Sequence, residues 1–287
     1  AYTIVQHGIY LSNSGDRPIV RDCKLHHNGR AGIQLNADGR QLKPDLGSRG
    51  DGAIDFPVIE RNEIFENGNS GAAGINLSGV HFGRFACNLI YNNYAGGIAA
   101  WDDNFNSQYA CTDNLFFGNT IFFRADEGRR CISFKHGCLR NVLRNNILCG
   151  GWHAPIEYDA QSSMDSDFNL LFNLAGDTEA INLAIDNIDQ PVSLLDWRTS
   201  TGNDVHSVWA HPEFVNSAVE PFDFSPTTAS LAIGVGDPSQ TYDVSSTDGV
   251  PRGAPLIAGR FNVAYPAQRP ESVTGLSINA APQLIGL

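Results

Sequence analysis

Gly74-Ile75-Asn76-Leu77-Ser78 alternates apolar and polar residues after its opening glycine, which is the period of a strand with one buried face. The same frame recurs at Gly32-Ile33-Gln34-Leu35-Asn36 and at four further places, so the chain holds six copies. The first apolar positions are Ile9, Ile33, Ile75, Ile98, Ile132 and Ile156. The second are Leu11, Leu35, Leu77, Ala100, Phe134 and Tyr158. We expect each set to form one internal row of stacked side chains.

A second unit, Asn-x-hydrophobic-x-x-Asn, accompanies these strands. It begins at Asn62, Asn88 and Asn114, at intervals of 26 residues, and these three copies align without gaps. Residues 23–28 fit the frame with Cys in the first slot, and residues 145–150 fit it with Gly in the last. We interpret the asparagines as structural, because stacked Asn side chains hydrogen-bond at sheet corners and Asn tolerates the left-handed backbone conformation.

The repeats are too closely spaced for helices between the strands. A coil of about 23–26 residues with short strands and tight turns is typical of a parallel β-solenoid, whose coils stack about 4.8 Å apart. At 287 residues the chain fits a single domain of this kind. Its insertions at residues 39–57, 102–112 and 124–130 are expected to build the walls of a cleft.

The repeat ends near residue 175. We predict that residues 1–175 form the coils and that residues 176–287 form an irregular extension of the same domain, packed along the solenoid and over its C-terminal end. Ten of the 14 prolines lie at or beyond Pro191, which favours extended backbone there. Ser193 is a predicted N-cap for a short helix that runs through Trp197 and ends near Gly202.

The overall charge narrows the classes of partner. Lys and Arg number 19 against 31 Asp and Glu, which gives a net charge of −12. This balance argues against nucleic acid and against an anionic membrane surface, and no apolar run approaches the length of a membrane-spanning helix. An acidic polysaccharide would need a local cationic patch or a bridging cation. The six cysteines leave free thiols and disulfides open as alternatives.

The N-terminal segment lacks the features of a signal peptide, so an exported protein would already have lost it. A strand-like segment begins at Tyr2 with no amphipathic cap before it. Solenoid ends expose unpaired backbone groups. We therefore expect either that the chain is truncated relative to its relatives or that residues 2–12 associate with another subunit, which would make a homo-oligomer.

With these repeats the chain resembles the right-handed parallel β-helix superfamily, the architecture of pectate lyases, alginate lyases, polygalacturonases and phage tailspikes. The resemblance covers about residues 3–175. Three stretches further along, residues 165–172, 193–198 and 248–253, look like the last coil and tail of secreted bacterial members. The resemblance implies an all-β, right-handed parallel β-helix with an irregular C-terminal tail, and it implies an extracellular or periplasmic carbohydrate-active protein.

The polar positions of the six strands define two predicted external columns. The first runs through Tyr10, Gln34, Asn76, Ala99, Ser133 and Glu157, and the second through Ser12, Asn36, Ser78, Trp101, Lys135 and Asp159. Amides, carboxylates and an aromatic ring on one face suit a sugar chain. The predicted substrate-binding residues are Trp101, Gln34, Asn36, Asn76, Asp102, Glu157, Asp159 and Arg130.

Lys135 and His136 form the adjacent basic pair on this face and are the predicted catalytic residues. A polysaccharide lyase must neutralise a uronate carboxylate and remove the proton from C5, which are tasks for a cation and a base. Alternatively, Lys135 is a solvated charge paired with Asp159 or Asp102. Asp102 and Asp103 are weak candidates for Ca²⁺ ligands.

Our first functional hypothesis is therefore a lyase that cleaves a uronic-acid polymer by β-elimination. The second is a non-catalytic, glycan-binding surface or appendage protein. The third is an inverting glycoside hydrolase that uses Glu157 with Asp159, or Asp102 with Asp159. The Asp-rich signatures of polygalacturonase-like hydrolases are missing, which counts against the third.

Overall fold

The computed structural model describes residues 6–12, 14–37, 51–69, 71–102, 109–176, 178–185, 188–237, 239 and 259. The first strands are β1 (Ile9–Ser12), β2 (Ile19–Arg21), β3 (Lys24–His26), β4 (Ile33–Asn36), β5 (Ile54–Asp55), β6 (Val58–Glu60), β7 (Glu63–Phe65), β8 (Ile75–Ser78), β9 (Val80–His81), β10 (Arg84–Ala86), β11 (Leu89–Tyr91) and β12 (Gly96–Trp101). They are followed by β13 (Leu115–Phe117), β14 (Thr120–Phe122), β15 (Arg130–Phe134), β16 (Asn141–Arg144), β17 (Ile147–Gly150), β18 (Ile156–Asp159), β19 (Met164–Asp167), β20 (Leu170–Asn173), β21 (Glu179–Ile185), β22 (Ile188–Ser193), α1 (Leu194–Thr201), β23 (Val208–Trp209), β24 (Phe214–Asn216) and β25 (Asp223–Pro226).

Three long sheets run along the molecule. The first has the order β1-β4-β8-β12-β15-β18-β21-β22, the second β19-β16-β13-β10-β6-β2, and the third β23-β20-β17-β14-β11-β7-β3. Strands that follow one another in the chain fall into different sheets, and neighbours within a sheet come from successive coils. All pairs in these sheets are parallel except β21 with β22. The predicted parallel solenoid is confirmed.

The isoleucine row is confirmed in full. The register pairs Ile9 with Ile33, Ile33 with Ile75, Ile75 with Ile98, Ile98 with Ile132, and Ile132 with Ile156. The row continues to Ile181 on β21. The five central members are buried in one hydrophobic core, which the second row of apolar residues shares. The alternation of apolar and polar residues therefore selects which face of the first sheet points inward.

Buried asparagines hydrogen-bond from coil to coil beside the second and third sheets. We call Asn62, Asn88, Asn119, Asn146 and Asn169 the Asn ladder. In it each Nδ2 donates to the Oδ1 of the next member at 3.0 Å. The structural interpretation of these asparagines agrees with this geometry.

The predicted alignment of the third Asn unit was wrong by one sheet. Asn88 hydrogen-bonds Asn119 rather than Asn114, and Leu115 pairs with Arg84 on β10. The unit marks two successive corners of a coil, five residues apart, so a gapless alignment could slide from one corner to the next. The copy at 145–150 was also misplaced, by one residue, because Asn146 occupies the ladder position while Asn145 adopts a left-handed φ of 58°.

The first sheet continues past residue 175. β21 pairs in parallel with β18, and β22 then turns back antiparallel to β21. The predicted helix is confirmed as α1, with Ser193 accepting from the Asp196 backbone N–H and Gly202 in the left-handed conformation after its last turn. Leu194 and Trp197 join the core at this end.

The described part of the C-terminal extension packs on the outer face of the third sheet. Phe224 is buried against Tyr91 and Phe122, with ring centroids 4.9 and 5.1 Å away, and Phe214 and Phe222 surround it. Within the described ranges, no helix has the length and apolar character needed to cross a membrane. All six cysteines are unbonded thiols.

Several predictions fall on parts of the chain outside the described residues. These are the calcium candidate Asp103, the start of the proposed N-terminal association edge at residues 2–5, most of the insertion at 39–57, and the tail segment at 248–253.

Candidate functional site

A cleft of about 640 Å³ lies on the outer face of the first sheet. This volume is in the range of small-molecule and substrate sites. Eight of the ten described residues that we predicted for the site line it: Gln34, Asn36, Asn76, Trp101, Arg130, Lys135, His136 and Glu157. They come from β4, β8, β12, β15, the turn after β15, and β18. Parallel stacking thus brings residues up to 123 positions apart onto one wall.

Amide side chains form part of the floor of the cleft. Asn76 donates from Nδ2 to Gln34 Oε1 at 3.0 Å, and both are nearly buried. Asn36 donates from Nδ2 to the Tyr10 hydroxyl at 3.4 Å. Ser78, which was predicted to face solvent, is fully buried. The outer face of the sheet at this level is therefore a covered floor of paired polar groups rather than an open surface.

Glu157 holds two cations together at one end of the cleft. Its Oε1 lies 3.0 Å from Lys135 Nζ and 3.9 Å from Arg130 Nε. Burial lowers the pKa of Arg130, while Glu157 and Asp189 act in the opposite direction. Lys135 thus pairs with Glu157, not with the Asp159 or Asp102 that its bland interpretation named. A lysine in this contact is held as the ammonium ion and offers positive charge rather than a lone pair.

His136 is oriented by two fixed contacts. Its backbone N–H donates to Asp159 Oδ2 at 2.6 Å, and its ring Nδ1 lies 3.3 Å from the Asp102 carbonyl oxygen. Because a carbonyl oxygen can only accept, Nδ1 carries the hydrogen in this contact. In the neutral ring Nε2 is then the nitrogen that can take a proton. The residue adopts a left-handed φ of 59° at the turn after β15.

The two predicted substrate-binding aspartates serve the backbone instead of the cleft. Asp159 accepts from the His136 N–H and from Ser162 Oγ, the latter at 2.7 Å. Asp102 is buried, at 1% exposure. Neither is among the lining residues, so the carboxylate pairs needed by the hydrolase hypothesis do not face the cleft together. Among the described residues, no group of three or more His, Cys, Asp and Glu side chains is arranged to hold a metal ion.

Sequence analysis missed three basic residues of the cleft: His7, Arg30 and Arg129. Each lies in a turn, one or two positions before a strand of the first sheet, so the strand alternation carries no information about it. Burial and the charge of Arg30 lower the pKa of His7, which favours a neutral ring. The recurrence of basic residues just ahead of the repeated strands was the signal available in the sequence.

The cleft is a positive region of an acidic protein. Its lining includes four permanent cations, Arg30, Arg129, Arg130 and Lys135, against the single carboxylate of Glu157. Trp101, at the end of β12, is partly exposed on the same wall. The arrangement combines positive charge for an anion, amides for hydroxyl groups and an indole face for the apolar side of a sugar ring.

Comparisons with known proteins bear on the fold. Residues 3–116 match the family model described as the right handed beta helix region. No curated protein and no solved structure matches the chain. Since the matched segment and the stacked parallel sheets that extend it have the same architecture, this protein is a right-handed parallel β-helix.

Proposed function

We propose that this β-helix is an exported polysaccharide lyase that binds a uronic-acid polymer in the cleft and cleaves it by β-elimination. The observation that carries the proposal is the concentration of four cations beside an oriented histidine, in a protein whose net charge is −12. Long-range repulsion from the acidic surface makes a positive cleft the place where an anionic chain can settle.

The chemistry divides between charge and base. Arg130 and Lys135 stabilise the negative charge that builds on the uronate carboxylate when the C5 proton leaves. His136 Nε2 accepts that proton. The C5–H electron pair forms the C4–C5 double bond, the bond from C4 to the glycosidic oxygen breaks, and that oxygen leaves with a proton taken from solvent. Assigning the base to His136 follows from the ion pair that keeps Lys135 charged.

The remaining lining groups bind the polymer. Trp101 offers a platform for a pyranose ring, and Gln34, Asn36 and Asn76 offer amide groups for its hydroxyls. Calcium, if it takes part, would bridge the uronate to acidic groups near Asp102 and Asp103, so each assay is run with and without it.

A non-catalytic glycan-binding role is the second candidate. It is favoured by the closed contact between Lys135 and Glu157, because a substrate carboxylate must compete with Glu157 for the ammonium group. In that role the cleft holds the polymer and leaves its bonds intact.

The test incubates the protein with pectate, alginate, hyaluronan or chondroitin, each with and without Ca²⁺, and follows the ultraviolet absorbance of the unsaturated uronate product. We expect His136→Gln to lower kcat about 10²–10⁴-fold. The matched control is His26→Gln, which changes an exposed histidine on the third sheet. Absorbance that His136→Gln leaves unchanged refutes the base assignment. Polymer binding without absorbance, abolished by Trp101→Ala, supports the binding role. Neither absorbance nor binding refutes both candidates.

A further inference from the structure

Two buried cysteines lie opposite each other on neighbouring coils beside the cleft. Around them the register is fixed by Leu115 pairing with Val142, and by the Asp113 backbone N–H donating to the Leu139 carbonyl at 3.0 Å. Both relations have an interval of 27 residues or its one-residue hydrogen-bond offset. The same interval separates Cys111 from Cys138, which are therefore direct neighbours in adjacent coils.

Both thiols point into the core. Ile54 pairs with Val80, and the next residues, His81 and Thr112, pair in turn, so Cys111 follows Val80 in one inward row. Cys111 and Cys138 have no exposed surface and belong to the main hydrophobic core. Parallel neighbours in adjacent coils lie about 4.8 Å apart, within the Cα separation that a disulfide spans.

The side chains are already in contact. The Cys138 thiol hydrogen-bonds the Cys111 thiol, and burial followed by this contact raises the pKa of Cys111 well above its ordinary value. Each sulfur also lies near the carbonyl oxygen of a cleft residue, Cys111 Sγ at 3.7 Å from Trp101 and Cys138 Sγ at 3.2 Å from Lys135. A bond between the sulfurs would thus tie together the backbone that carries the two cleft residues.

We propose that Cys111 and Cys138 form a disulfide that joins two successive coils behind the cleft. The reaction is thiol–disulfide exchange with a low-molecular-weight disulfide such as oxidised glutathione. The two thiols lose two protons and two electrons, one S–S bond forms between the coils, and the oxidant is reduced to two thiols. Because the folded protein buries both sulfurs, the exchange takes place during folding, before the coils exclude the oxidant. The inference is independent of the lyase proposal.

The experiment refolds the full chain in oxidised and reduced glutathione, alkylates free thiols with N-ethylmaleimide in guanidinium, and maps tryptic peptides without reduction. Trypsin places Cys111 in residues 85–124, which also contain Cys87, and Cys138 in residues 136–140. We expect these two peptides to be cross-linked and four of the six thiols to be alkylated. Reduction of the folded protein should lower its Tm by roughly 5–10 °C, since the bond closes a loop of 27 residues.

The variants identify the sulfurs. Cys87→Ala is the matched control, because it removes the other cysteine of the same peptide and should keep the cross-link. Cys111→Ala and Cys138→Ala should each abolish it. Six alkylated thiols in wild-type protein that has the circular dichroism of the folded state overturn the proposal. A cross-link that survives Cys111→Ala or disappears in Cys87→Ala also overturns it.

Discussion

Replacing Asn119 with alanine removes the central member of the Asn ladder. Its Oδ1 accepts from both the backbone N–H and the Nδ2 of Asn88, each at 3.0 Å. Its Nδ2 donates to the Phe85 carbonyl at 2.9 Å and to Asn146 Oδ1 at 3.0 Å. The residue has no exposed surface, so water cannot replace these partners without opening the coil.

The magnitude follows from these four contacts. An intramolecular hydrogen bond contributes about 1 kcal/mol net, and a buried donor that loses its partner costs about 1–3 kcal/mol. Four lost bonds, of which one serves a backbone N–H, predict that Asn119→Ala lowers the free energy of unfolding by about 3–5 kcal/mol. That is a large part of the stability of an ordinary domain.

The control is Asn28→Ala, at the solvent-exposed end of a shorter asparagine stack. Asn28 Nδ2 also donates to an asparagine, Asn67 Oδ1 at 2.8 Å, but the residue is half-buried and water can take over the contact. We expect a cost under about 1 kcal/mol. Urea unfolding followed by far-ultraviolet circular dichroism measures both. Equal midpoints for the two variants would refute the claim that the buried ladder, rather than asparagine at a corner, stabilises the coils.

Three further changes test the ladder's end and the core. Asp204→Asn places an amide nitrogen against Trp197 Nε1–H, which now donates to Asp204 Oδ2 at 3.0 Å, and should cost about 1–3 kcal/mol in urea unfolding. Burial raises the pKa of Asp204, so its contribution is present below the ordinary carboxyl pKa and is lost as pH rises through the raised value; the Tm of wild type relative to Asp204→Asn should therefore fall with pH, and a rise would contradict the assignment. Ile98→Ala, in the isoleucine row, should cost about 2–5 kcal/mol in the same unfolding assay, against less than about 0.5 kcal/mol for the exposed Ile188→Ala, and similar values would show that the row is not a packed core. Gly97→Ala would put a Cβ 2.5 Å from the Cys131 carbonyl oxygen, so we expect a lower Tm by thermal melt, and an unchanged Tm would mean that the coils can separate there without cost.

The interior of the first sheet was predictable because its signal is local. Each Ile–x–Leu unit carries its own alternation, and six copies fix the register of β1, β4, β8, β12, β15 and β18 without any knowledge of the turns. The Asn unit is ambiguous, because it marks two corners per coil. Whether Asn114 follows Asn88 or precedes its partner depends on the length of the insertion before it, which the motif does not encode.

The site was predictable as a wall but not as a set of pairings. Strand periodicity places Lys135 and Glu157 in neighbouring coils, yet their 3.0 Å contact depends on side-chain conformations. His7, Arg30 and Arg129 reach the cleft from turns whose paths no periodicity describes. Asp159 and Asp102 were assigned to the cleft from their strand positions, but the turn after β15 closes over their side of the sheet.

The asparagine ladder has a direction, and its last partner differs in chemistry from the others. An amide side chain can receive a hydrogen bond on one atom and pass one on from the other, so each rung both accepts from the rung before it and offers a donor to the next. Asn169 donates its final hydrogens to Ser166 Oγ and Asp204 Oδ1, at 3.1 and 3.3 Å. An ionised carboxylate receives and passes nothing on. The exchange of an amide for an acid at that level therefore tells the stack where to stop, and a further coil placed there would find no hydrogen offered to it.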